Sequence, residues 1–185
     1  MSVPRLPGPV TAEPGRGFTG SRGCLDIDPL PGYKAADPHH LEGGDDLLGL
    51  NESLIRNRFE DIQESLERLE ELRSLPQEIF LADRDRRDLA CYRLIVAIEA
   101  AVQICFHVSA QRLHRTPEEY AECFAILGEA GIIPADLSER LQQMARFRNV
   151  LVHRYWDVDY GRVYDILWSH LDDLREFVHA IDRLL

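Results

Sequence analysis

Lysine is almost missing from this chain. Lys34 is the only one, so the positive charge of its 21 basic residues rests on arginine. Basic charge is also outnumbered: with 32 acidic residues the net charge is −11. That balance excludes binding nucleic acid through a broad basic face, though not through a small basic site. The lack of a basic recognition helix argues against a DNA-binding regulator. The four cysteines, Cys24, Cys91, Cys105 and Cys123, form no C-x-x-C pair and no zinc spacing with histidine. Cys91, Cys105 and Cys123 fall in apolar helical patterns and read as small core residues in a reducing compartment. No carboxylate cluster suited to a metal stands out, so neither a metal nor a cofactor is expected. No apolar run reaches the roughly 20 residues of a membrane helix. The N-terminus has no apolar core of the signal-peptide type. The expectation is a cytoplasmic protein with no membrane partner.

What is present is a helical pattern behind a different kind of leader. At 185 residues and 45% apolar content the chain is sized for one domain with a hydrophobic core. In residues 1–48, seven prolines from Pro4 to Pro38 alternate with many glycines, a composition that builds no helix and buries little. This segment reads as a disordered extension. His39-His40 within it lack a third ligand and read as incidental. Residues 49–185 read as the folded domain.

Asn51 or Ser53 can cap a first helix carrying Leu54, Ile55, Phe59, Ile62, Leu66, Leu69 and Leu72, ended by Pro76. Asp83 or Asp85 can start a second, running to about Leu113. Its centre, Leu94 to Val102, is apolar nearly all round, as the buried middle of a bundle would be. Thr116-Pro117-Glu118-Glu119 reads as the start of a short third helix that stops at Gly131. Pro134 and Asp136 open a fourth, with Leu137, Leu141 and Met144 on one face. A last helix runs from about Tyr160 to Leu185. No paired strand and no repeat is visible. The fold class is all-α, an up-down bundle of four or five helices.

The chemistry concentrates in Arg148-Asn149-Val150-Leu151-Val152-His153-Arg154-Tyr155. No Asp or Glu falls between Glu139 and Asp157, whereas Arg140, Arg146, Arg148 and Arg154 do. In an acidic chain this is a positive island where a phosphate can settle. Arginine can bind a phosphodiester and stabilise charge in its transition state, while an imidazole can move a proton near neutral pH. The pair needs no metal. Asn149, one turn before His153, can orient the ring or meet a phosphate oxygen. On an ideal helix Arg146, Asn149 and His153 share a stripe, but His153 lies about 140° round from Arg148. Either the helix loosens there, or a second copy in a symmetric dimer completes the site. The bland alternative is solvated charge and a cap at a helix C-terminus. Glu99, a carboxylate inside the apolar second helix, needs a partner, for which Arg146 and Arg148 are candidates. Tyr155 and Trp156, taken alone, read as core or interface aromatics.

Arg148-Asn-x-x-x-His153-x-Tyr155, on the penultimate helix of a small all-α chain, closely resembles the HepT-like members of the HEPN superfamily. The resemblance spans about residues 50–185 and includes the turn Asp157-Val158-Asp159. It implies a metal-independent endoribonuclease toxin of a toxin–antitoxin pair, with RNA as substrate. It implies a homodimer whose Arg148 and His153 are catalytic, with Asn149 and Arg146 in support. It also implies a nucleotidyltransferase antitoxin as partner, transferring AMP to Tyr155. The rival expectation is a catalytically silent helical dimer that binds a nucleotidyltransferase or nucleotides.

Overall fold

Asn51 opens the first helix. Its Oδ1 accepts from the Leu54 N–H at 2.9 Å, so Asn51, not Ser53, caps α1 (Glu52–Arg73). The structure, a computed structural model, describes residues 49–185 apart from the Tyr155 side chain. The expected extension over residues 1–48, with Cys24, His39 and His40, lies outside the described residues. After α1 come α2 (Gln77–Ala82), α3 (Arg84–Leu113), α4 (Tyr120–Glu129) and α5 (Ala135–His153). A 3₁₀ turn (Tyr155–Asp157), α6 (Tyr160–Ser169) and α7 (Leu171–Asp182) complete the described residues.

The all-α expectation holds, with finer divisions than the pattern resolved. α2 is too short to show a stripe, yet it buries Phe80. The expected last helix is two, broken at His170, whose φ of −131° and ψ of 0° leave the helical region. The break has an electrostatic cause. Asp173, buried in the first turn of α7, lies 2.9 Å from His170 Nδ1 and accepts from Arg140 Nε of α5 at 2.7 Å. A buried carboxylate demands such partners, and they hold the chain open at that corner. The expected helix start at Thr116-Pro117 is also corrected. His114, at φ 51°, turns the chain out of α3, Pro117 is buried in the connection, and α4 begins only at Tyr120. Glu118 N–H donates to the Glu122 carboxylate at 2.7 Å instead of entering a helical first turn. Gly131, at φ 68°, ends α4 where a stop was expected.

α3 is the middle of the molecule and touches every other α-helix. Leu94, Ala97, Ile98, Ala101, Ile104, Cys105 and Val108 are buried along it. Onto it pack Ile55, Ile62, Leu66 and Leu69 of α1, with Leu174, Phe177 and Ile181 of α7. Leu54 falls off the α1 stripe and is exposed. By length and mean hydropathy α3 also qualifies as a membrane span, which the run-length reading missed because Glu99 interrupts it; here it is the core helix. Burial pushes the Cys91 thiol up to about 11, Asp88 adding to the effect, and holds Cys105 high as well. Thiols so placed are unreactive packing groups.

Two contacts fix the helices that carry the site. α4 and α5 meet at Gly128, where a Cβ would lie 2.7 Å from Ser138 Cβ, so only glycine admits this approach. Ser138 Oγ donates to the Phe124 carbonyl across the same junction at 2.9 Å. The start of α1 is tied to α3 by the Asn51 N–H, which donates to His107 Nε2 at 2.8 Å. Burial lowers the His107 pKa from its ordinary 6.5. The unfolded chain therefore binds this proton more readily than the folded one, and stability rises with pH. We expect His107 to contribute fully above about pH 6.5 and to lose its contribution as pH falls through the imidazole range. Melting curves across that range should show the slope, and His107→Ala should flatten it.

Candidate active site

The last two turns of α5 carry the motif. The helix persists through His153, then Arg154 leaves it at φ −134° with its N–H still donating to the Val150 carbonyl at 2.9 Å. The following turn is pinned on both sides. Arg154 Nη2 pairs with Asp157 at 2.7 Å, and Asp159 caps α6 by accepting from the Gly161 N–H at 2.9 Å and the Arg162 N–H at 3.2 Å. Tyr155 thus sits in the backbone of a short 3₁₀ turn directly beyond His153; its side chain lies outside the described residues. Trp156 is exposed, which excludes the core reading for it.

Arg148 is the organised member of the set. Its Nε is in ion-pair contact with Glu99 Oε1 of α3, without hydrogen-bond alignment between the two atoms. Its guanidinium carbon lies 5.2 Å from the centroid of the Tyr120 ring, and its Nη1 donates to Asn149 Oδ1 at 3.3 Å. Tyr120 Oη in turn donates to Glu99 Oε2 at 3.5 Å. The side chains of Arg148 and Glu99 are only 16% and 24% exposed, so their attraction is less screened than that of a surface pair. One of the two partners foreseen for Glu99 is therefore the one it takes.

Arg146, Arg148, Asn149 and His153 line one hollow of about 420 Å³, closed on its other side by Glu119, Tyr120 and Ala121 at the start of α4. On an ideal helical wheel the Arg148 and His153 side chains stand about 140° apart. α5 does not loosen before His153, yet both members of the pair border this hollow within one chain. A long guanidinium arm spans an angle that Cα positions alone do not. Tyr120 and Glu119 were missed, because their part in the site depends on α4 starting where it does.

The positive island is also thinner than the local sequence implied. Arg140 is held by Asp136, Asp173 and Glu176, Arg148 by Glu99, and Arg154 by Asp157. Carboxylates distant in sequence supply most of these partners. Arg146 is exposed and has no ion pair among the described residues, so it keeps its charge for an incoming anion. His153 is likewise exposed at the helix end.

The family model described as ribonuclease HepT-like matches residues 62–181, a span that holds every one of these side chains. The chain belongs to the HepT-like family. This HepT-like chain is 25% identical over 128 residues to the mRNA nuclease HepT of Shewanella oneidensis, covering 69% of this chain and 96% of that relative. It is 24% identical over 132 residues to the tRNA nuclease HepT of Aphanizomenon flos-aquae, covering 71% and 90%. Among solved structures, a tri-AMPylated Shewanella oneidensis HEPN toxin in complex with MNT antitoxin is similar, with a TM-score of 0.66 and 25% identity. That match covers 70% of this chain and 97% of that one. A Bacillus subtilis cytosolic protein of unknown function shares the fold, with a TM-score of 0.64 and 16% identity. The HEPN-type bundle is thus the fold of the described residues.

Proposed function

We propose that this HepT-like chain is a metal-independent endoribonuclease toxin that acts as a homodimer in the cytoplasm. A nucleotidyltransferase antitoxin neutralises it by transferring AMP to Tyr155. The observation that carries the reading is the single hollow bordered by an oriented Arg148, a charged Arg146 and an exposed His153. A scissile phosphate held there meets the terminal N–H groups of Arg148, which stabilise the charge that grows on its oxygens in the transition state. His153 takes the proton of the 2′-hydroxyl as that oxygen attacks phosphorus, or returns a proton to the departing 5′-oxygen. One imidazole cannot do both at once, and a two-fold dimer supplies a second. Asn149 supports the site through Arg148 Nη1.

The control step is equally concrete. Tyr155 Oη attacks the α-phosphorus of ATP in the antitoxin, pyrophosphate leaves, and the phenol carries AMP. Its negative phosphodiester, two residues beyond His153, repels RNA and competes for Arg146 and Arg148. The nuclease names of the relatives and the AMPylated toxin–antitoxin neighbour support the reading.

A silent helical dimer that binds a nucleotidyltransferase or nucleotides is the second reading. It draws on the Glu99–Arg148 pair, which offsets the charge of one of the two arginines bordering the hollow. Purified protein incubated with bulk RNA in EDTA separates the two, since only the nuclease cleaves. Tyr155→Phe should remain toxic in the presence of the antitoxin and ATP, and intact-mass measurement should find no AMP on that position. An adduct of equal stoichiometry on Tyr155→Phe would move the modification elsewhere.

A further inference from the structure

Glu99 is the residue of the core helix that the fold does not need. α3 packs through Leu94, Ala97, Ile98 and Ala101 on either side of it, and a carboxylate on so apolar a helix is a cost without compensation in packing. Its placement makes sense only toward the hollow. One oxygen meets Arg148 Nε, the other accepts from Tyr120 Oη at 3.5 Å, and the Tyr120 ring lies under the guanidinium. Two helices, α3 and α4, thus contribute one group each to a single side chain of α5.

We infer that Glu99 and Tyr120 are positioning residues for Arg148, fixing its guanidinium so that the terminal Nη groups, and not the Nε edge, meet the substrate phosphate. This rests on the nuclease reading above and deepens it. A guanidinium has five N–H donors in a rigid plane. Glu99 occupies the Nε side and Tyr120 one face, so rotation about the last bonds of the side chain is restricted before RNA arrives. That ordering is then not a cost of the reaction. Arg146 is the contrast: exposed and without an ion pair among the described residues, it offers charge without orientation. The two arginines divide the work, Arg146 attracting the phosphate and Arg148 matching its transition state.

The pairing also has a sign that separates positioning from masking. Glu99 withdraws net charge from the hollow, so a substitution that removes its charge leaves Arg148 more available to bind RNA. If Glu99 only masks Arg148, Glu99→Gln raises turnover. If it positions Arg148, Glu99→Gln lowers kcat by roughly tenfold to hundredfold while KM stays level or falls. Glu99→Asp, which keeps the charge, should recover part of kcat. Tyr120→Phe keeps the ring and should cost less than Tyr120→Leu, which removes the face.

Steady-state cleavage of a defined RNA by the full chain and these variants gives the kcat and KM values. A second readout does not depend on activity. Side-chain 15N NMR should show a distinct Nε–H for Arg148, its exchange slowed by burial against Glu99 and Tyr120, identified by its absence in Arg148→Lys, and this signal should vanish in Glu99→Gln and Tyr120→Leu. Unchanged or raised kcat in Glu99→Gln overturns the positioning role. So does an Arg148 signal indifferent to both substitutions. If the parent chain cleaves no RNA but the protected signal is present and lost as expected, the held arginine stands and the nuclease reading falls instead.

Discussion

His153→Ala should reduce RNA cleavage by about 10²–10⁴-fold, the usual contribution of a general acid or base, while leaving the helical fold in place. The second half of that expectation follows from where the side chain sits. His153 is exposed in the last turn of α5 and has no side-chain partner among the described residues, so nothing packed depends on it. The loss in stability should be at most about 1 kcal/mol, the scale of a favourable helix-terminus charge. Its hollow should survive as well, because Arg148 is held by Glu99 and Tyr120 independently of residue 153. The substitution therefore separates chemistry from binding: RNA should still associate with the variant at unchanged salt, but remain intact. Cleavage assays in EDTA, binding by fluorescence anisotropy and thermal melting test the three parts. Cleavage at the parental rate by a folded His153→Ala protein would remove the imidazole from the mechanism, and with it the main support for a nuclease built on this pair.

Where the governing interaction is local, the sequence reading was accurate. Asn51 caps α1 through its own side chain, Gly131 ends α4 through a left-handed backbone, and the stripes of α1 and α5 bury most of the residues their spacing selects, Leu54 and Phe59 excepted. Where the interaction is between elements, it was not accessible. Arg140 looked like part of a positive island until Asp173 and Glu176, more than thirty positions later, were seen to claim it. The same Asp173 opens the corner at His170 that split an apparently continuous helix. α4 begins at Tyr120 because the chain must first leave α3 at His114 and bury Pro117, a tertiary demand that overrides a good local start signal. The site shows the same division. Arg148, Asn149 and His153 were visible as a motif, and Glu99 stood out as a charge in the wrong place, since burial makes a lone carboxylate untenable. Tyr120 carried no such mark, because an aromatic at a helix start is unremarkable until the helix across from it is known.

Arg148→Ala should differ from His153→Ala in a way that activity alone would not reveal. Both should lose cleavage by about 10²-fold or more, Arg148 through the transition-state charge it stabilises. Only Arg148→Ala should also unfold more easily. Removing the guanidinium strands the Glu99 carboxylate on the core helix, 24% exposed and with Tyr120 Oη as its remaining partner. Losing one partner of a pair in such surroundings costs about 1–3 kcal/mol, below the fully buried case because some water still reaches it. Lysine should not repair this. An ammonium cannot reproduce the planar fork or lie over the Tyr120 ring in the same way. The decisive comparison is the double variant Glu99→Leu with Arg148→Met. Replacing both charges by apolar groups of similar size removes the stranded carboxylate, so the double variant should melt at or above the parent although it cleaves nothing. Urea unfolding of the parent, the single Arg148→Ala and the double variant measures this directly. A double variant as unstable as Arg148→Ala would mean that the pair holds the bundle together. One restored to parental stability would mean that evolution keeps two charges at the meeting point of α3, α4 and α5 for what they do to a phosphate, at the expense of an easier core.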